Sequence, residues 1–163
     1  MNQTELIEHK LKPALAECAL HRQRLHQAWV EAAAFACMQH NTTPEKSMPD
    51  EAEVRVLDQL VFRFGKLQDA LGNRVLPTVL KITGDWRDDE TFVDKLDRAE
   101  KLRLLPGAEE WQVLRELRNQ SAHEYPEQPQ VWMQNLQRLH RAVPALERGL
   151  DSVMAFVRGR VGA

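Results

Sequence analysis

Residues 129–158, PQVWMQNLQRLHRAVPALERGLDSVMAFVR, decide the fold. Trp132, Leu136, Leu139, Val143, Leu146, Leu150, Val153 and Val157 recur at intervals of three and four, which puts apolar side chains along one face of an α-helix. The spacing predicts one long helix with Pro144 as its kink point. Such a seam cannot stay in water, so other helices must cover it.

Working back from it, Pro126 disfavours helix at the residue before it, and a helix entered after the Pro106-Gly107 turn should end near Ala122–Tyr125. Trp111, Leu114 and Leu117 would be its inward residues. Residues 84–90 (GDWRDDE) read as a turn, with Asp88 or Asp89 capping a helix from Glu90 to Leu104. Four acids in so short a stretch suggest a metal site, but capping and solvation account for them more simply, and no metal is expected. Asp50, with Glu53 three residues on, reads as the cap of a helix carrying Val54, Leu57, Val61, Phe64, Leu71 and Val75, with Gln68 interrupting the stripe. That helix should reach Gly72, and Pro77 suits the start of a continuation ending near Gly84. Residues 40–50 (HNTTPEKSMPD) are the clearest linker, and residues 4–39 read as helix, restarted or kinked at Pro13.

Composition agrees. The chain has 163 residues, with 21 Leu, 17 Ala and only two Ile, and no alternating strand pattern stands out. The expected architecture is all-α, a single domain (residues 1–163) forming an up-and-down bundle of four or five helices. A net charge of −2, from 22 basic and 24 acidic side chains, argues against a strongly basic nucleic-acid binder. No apolar run approaches the ~18 residues of a membrane span, and no signal-peptide core follows MNQTELIEHK, so a cytoplasmic protein is expected. Cys18 and Cys37, on one continuous helix, would lie about 28 Å apart, and both read as packing residues. His9, His21, His26, His40 and His140 are expected to be solvated helix or turn residues rather than ligands.

Chemistry concentrates in residues 114–126, LRELRNQSAHEYP. Arg115, Arg118, Asn119, Ser121, His123 and Tyr125, the only tyrosine, crowd the predicted end of one helix. An Arg-x4-His spacing alone arises by chance in about one of two chains of this composition; the adjoining Asn and the lone Tyr make the set specific. On an ideal helix Arg118 and His123 stand about 140° apart, so they converge only if the helix loosens around Ala122. Helix-end complementation of the dipole by Arg118 and His123, with Tyr125 as a core plug, is the plain structural alternative.

Arg118-Asn119-x-x-x-His123-x-Tyr125 resembles the RX4HXY motif of HEPN domains, in particular the HepT-like toxins that pair with minimal nucleotidyltransferases. Phe62-x-Phe64-Gly65-Lys66-Leu67-Gln68-Asp69 is similar to the polar-interrupted second helix of that family, and the likeness spans roughly residues 50–155. The resemblance implies a HEPN-like bundle, also described as nucleotidyltransferase substrate-binding-subunit-like, acting as a metal-independent endoribonuclease without cofactor. In that reading His123 is general acid or base, Arg118 clamps the phosphate, Asn119, Asp69 and Arg115 support them, and a homodimer builds one composite groove. It further implies that a nucleotidyltransferase antitoxin silences the toxin by transferring AMP to Tyr125. Residues 94–118 carry six basic and six acidic side chains, so an RNA substrate would be recognised by shape rather than drawn by charge. The alternatives are a non-catalytic substrate-binding or partner subunit of a nucleotidyltransferase, and a helical adaptor.

Overall fold

A computed structural model describes residues 1–39 and 47–162. Helix α1 (Gln3–Leu6), a π turn (Ile7–Leu11) and α2 (Lys12–Ala32) run on without a break, followed by a 3₁₀ turn (Ala36–Met38). Helix α3 (Glu51–Ala70), a second π turn (Leu71–Val75) and α4 (Leu76–Ile82) form another continuous rod; α5 (Phe92–Lys101), α6 (Ala108–Ser121) and α7 (Pro129–Arg160) follow. There is no strand among the described residues.

Cross-contacts give the directions. Along α2 and α3, Glu17 meets Arg74 and His21 meets Arg63, so the two run antiparallel. Gly72 faces Trp111 and Gly65 faces Arg118, which makes α6 antiparallel to α3. Arg22 pairs with Asp151 and His26 with Glu147, and Trp29 bonds His140, which sets α7 antiparallel to α2. Trp111 of α6 packs on Gly149 of α7. Helices α2, α3, α6 and α7 therefore form a square in which neighbours alternate in direction, with α4 and α5 joined at one side: an up-and-down bundle.

The predicted seam of α7 is buried from Leu136 to Val157, while Trp132 is only half-buried. Trp111, Leu114 and Leu117 point inward as expected. Asp50 caps α3 by accepting from Glu53 N at 2.8 Å.

The three interior prolines are accommodated differently. A proline has no N–H for the carbonyl four residues back, and its ring crowds that carbonyl. Pro13 and Pro77 each follow a π turn directly, where the ladder is widened by one residue, so neither rod is broken. Pro144 lies inside α7 and leaves the His140 carbonyl without its helical donor. Trp29 Nε1 donates to that carbonyl at 3.0 Å, and His140 Nε2 donates in return to the Trp29 carbonyl at 2.9 Å. His140 also stacks on Trp29, with ring centroids 5.6 Å apart.

Several expectations are corrected. The first rod stops at Ala32, not Met38 or Gln39: Phe35 turns extended, which buries Cys37 and presents its carbonyl to Gln137 Nε2 at 2.8 Å. The two cysteines thus do not share a helix, though both are free and buried. Most of the predicted linker, residues 40–46, lies outside the described residues, as does His40. Neither Asp88 nor Asp89 caps α5. Thr91 does, in a reciprocal box with Asp94, and Asp88 accepts instead from Trp86 Nε1 at 2.7 Å. Helix α5 also ends early, at Lys101, because Arg103 adopts φ 58° in the left-handed region. Leu104 N then bonds Ala99 O and Arg103 N bonds Glu100 O, the two closures of a Schellman end. Nor are the histidines all solvated. His21 is buried between α2 and α3, where Arg63 Nη1 donates to its Nδ1 at 2.9 Å; a guanidinium can only donate, so Nδ1 carries the lone pair.

Candidate functional site

Helices α3 and α6 meet at Gly65. A Cβ placed there would stand 3.7 Å from Arg118 Cγ, ordinary contact, so the arginine stem lies directly across this turn of α3. One turn on, Asp69 receives its head: Arg118 Nη2 donates to Asp69 Oδ2 at 2.6 Å, and Nη1 donates to Asn119 Oδ1 at 3.0 Å. The Arg118 and Asp69 side chains keep 37% and 35% of their exposure, so the pair is positioned but open to solvent. A guanidinium has five N–H donors. Two are engaged, which leaves three to face an incoming anion.

The α-helical ladder ends at Ser121. Ala122 N and His123 N then reach back only three residues, to Asn119 O at 3.3 Å and Gln120 O at 3.4 Å. The helix end therefore tightens at Ala122 before the chain leaves for Pro126. His123 sits exposed just past it, and among the described residues its ring makes no hydrogen bond. No hydrogen bond joins Arg118 to His123. Ser121 Oγ, between them in sequence, is buried without a partner among the described residues.

The remaining candidates go elsewhere. Arg115 turns toward α5 and lies over the Phe92 ring, 4.7 Å from its centroid. It lines an open groove with Asp97, Val113 and Asn119 rather than joining Arg118. Tyr125 is half-buried beside a cavity of about 290 Å³ whose other walls include Val54 and Asp58 of α3 and Trp132 of α7. The structure thus brings Arg118, Asn119 and Asp69 together, leaves His123 free at the end of the same helix, and places Tyr125 and Arg115 to either side.

Two features of this face were not singled out as site residues. Gly65 leaves the gap through which Arg118 crosses α3. Phe62 is 51% exposed on α3, with the Arg63 and Lys66 cations 5.2 and 5.6 Å from its ring centre. Its partner in the motif, Phe64, is fully buried. The alternation was visible as Phe-x-Phe, but which ring faced out depended on where α6 crossed.

Among the described residues no three His, Cys, Asp or Glu side chains converge as a metal site, and no helix is long and apolar enough to cross a membrane. Comparison of the chain with protein-family models, with curated proteins and with solved structures gave no significant match.

Proposed function

We propose that the chain is a metal-independent endoribonuclease of the HepT-like HEPN kind. The observation that carries this reading is Arg118, held by Asp69 and Asn119 with three N–H donors unspent, five residues before an exposed imidazole just past the end of the same helix. An anchored, solvent-facing guanidinium suits a phosphate better than it suits fold stability, because an ion pair this exposed contributes at most about 1 kcal/mol.

In this reading the 2′-hydroxyl of RNA attacks the adjacent phosphorus, the 5′-oxygen leaves, and a 2′,3′-cyclic phosphate remains. His123 removes the hydroxyl proton or supplies one to the leaving oxygen, and Arg118 stabilises the charge that grows on the phosphoryl oxygens. Asp69 and Asn119 keep the guanidinium turned toward the groove. One histidine per chain serves only one of the two proton transfers, so two chains related by a two-fold axis would supply both. Tyr125 is the acceptor for a nucleotidyltransferase antitoxin: its phenolic oxygen attacks the α-phosphorus of ATP and pyrophosphate departs. An anionic adduct two residues from His123 then repels the RNA backbone.

The test is cleavage of tRNA, ribosomal RNA and message by the purified chain in EDTA, beside Arg118→Ala and His123→Ala. The reading expects products with cyclic-phosphate ends, reduced at least about 100-fold in either variant. Equal cleavage by wild type and both variants refutes it. So does an absence of cleavage by chain whose intact mass shows Tyr125 unmodified.

A further inference from the structure

Helices α4 and α5 and the loop between them line a cavity of about 160 Å³ that shares no residue with the one beside Tyr125. Its walls are apolar, built from Leu76, Leu80, Leu96 and Ala99, with Trp86 and Phe92. Two structural devices shape it. The π turn Leu71–Val75 brings Gly72 and Asn73 to one edge, and the loop folds back so that both Asp85 N and Trp86 N bond Leu80 O, at 2.8 and 3.0 Å. That double bond pins the indole as a wall. Lys95 stands at the mouth.

The charges around this mouth are unbalanced. Lys95 Nζ lies 3.9 Å and Lys81 Nζ 4.7 Å from the Trp86 ring centre, so two ammonium groups share one indole. Neither forms an ion pair among the described residues. Of the acids closest in the chain, Asp88 accepts from Nε1 at the edge of the same indole, Glu90 pairs with Arg98, and Asp94 bonds Thr91. Asp85 and Asp89 of the same loop pair with neither lysine. Of the two lysines, Lys95 lines the cavity, and with no ion-pair partner among the described residues its ammonium leaves a place for an external anion.

We propose that this cavity binds a single-ring aromatic carboxylate, with the ring between Leu80, Leu96 and Phe92 and the carboxylate on Lys95. Size selects the ring: a cavity of ~150 Å³ lined by apolar side chains is one that accepts benzene. The aromatic walls favour a flat ring over an alkyl chain, and the Lys95 ammonium selects a negative head. Asn73, exposed at the rim, offers its amide to a polar ring substituent. The site stands apart from Arg118 and does not depend on the ribonuclease reading.

Titration of the full chain with benzoate at pH 7, followed by the indole N–H resonances in ¹H–¹⁵N spectra, tests the site; Trp86→Phe assigns the Trp86 peak. A saturable shift of that peak is expected, with the Trp29 and Trp132 peaks still. Benzyl alcohol, with the ring but no charge, should bind at least about fivefold more weakly, and Lys95→Gln should weaken benzoate by a similar factor. Ala99→Met should block binding by filling the cavity; if it fails to fold, Lys95→Gln at the partly exposed mouth still decides. The proposal is overturned if benzoate leaves the Trp86 peak unmoved, if benzyl alcohol binds as tightly, if Lys95→Gln changes nothing, or if inorganic phosphate moves the same peak as strongly.

Discussion

Trp29→Phe should expose the device that lets α7 carry a proline through its middle. Pro144 withholds the N–H that His140 O would accept, and Trp29 Nε1 donates to that carbonyl at 3.0 Å. Phenylalanine keeps a ring against His140 but removes the donor. An unpaired, partly buried carbonyl costs about 1–3 kcal/mol, and the smaller ring adds a packing loss, so the variant should lose about 2 kcal/mol. For a chain of this length that lowers the melting midpoint by roughly 4–8 °C. Pro144→Ala restores the backbone donor, and by itself it should stabilise, by up to ~3 kcal/mol if the helix is otherwise relaxed. The decisive quantity is the coupling. With alanine at 144 the carbonyl keeps a partner when Trp29 is lost, so Trp29→Phe should cost at least about 1 kcal/mol less in that background. Urea unfolding of the four proteins, with constant slopes, measures it. Equal costs in both backgrounds would mean that the indole only packs there, and the capping argument would be wrong.

Gly72→Ala would ordinarily gain about 1 kcal/mol in a helix, but its Cβ would lie 2.9 Å from Trp111 Cζ2 of a buried indole. A rigid ring that close should reverse the sign, to a net loss of about 1 kcal/mol; Gly149→Ala, whose Cβ meets the same indole at 3.8 Å, should be neutral or stabilising in the same melt. The Cys18 thiol is pushed up to about 12 by burial, with the Glu17 charge adding to it. The native fold holds this proton and the unfolded chain releases it earlier, so the thiol's contribution to stability is intact below pH 9 and disappears as pH rises from 9 to about 12. Thiol labelling at pH 8 should accordingly leave Cys18 unmodified until denaturant is added, and prompt native-state labelling would refute the burial.

What the sequence made legible follows from how local each signal was. The α7 seam and the Asp50 cap depend on residues within a turn or two of one another, and both are where periodicity and capping chemistry put them. The position of Arg118 at a helix end is equally local, whereas Asp69 as its partner on a neighbouring helix is what the family resemblance implied. Most of what failed involved a partner distant in sequence; the Thr91–Asp94 cap, where Asp88 or Asp89 was expected, is the local exception. Nothing near His21 or His140 announces that Arg63 and Trp29 will claim their ring nitrogens. Arg103 carries none of the glycine signature of a left-handed helix end, yet Leu104 must turn into the core, and that burial outweighs the strain. The same rule separates the parts of the site. The Asn119 contact with Arg118 is between chain neighbours, and the Asp69 contact joins two helices. The relation of His123 to Arg118 depends on chain beyond the helix end, where no periodicity operates, and the geometry there leaves the imidazole uncommitted. An imidazole without a partner, on the same helix end as a guanidinium held by Asp69 and Asn119, is compatible with the proposed site completed by a second chain, and the cleavage assay tests that proposal.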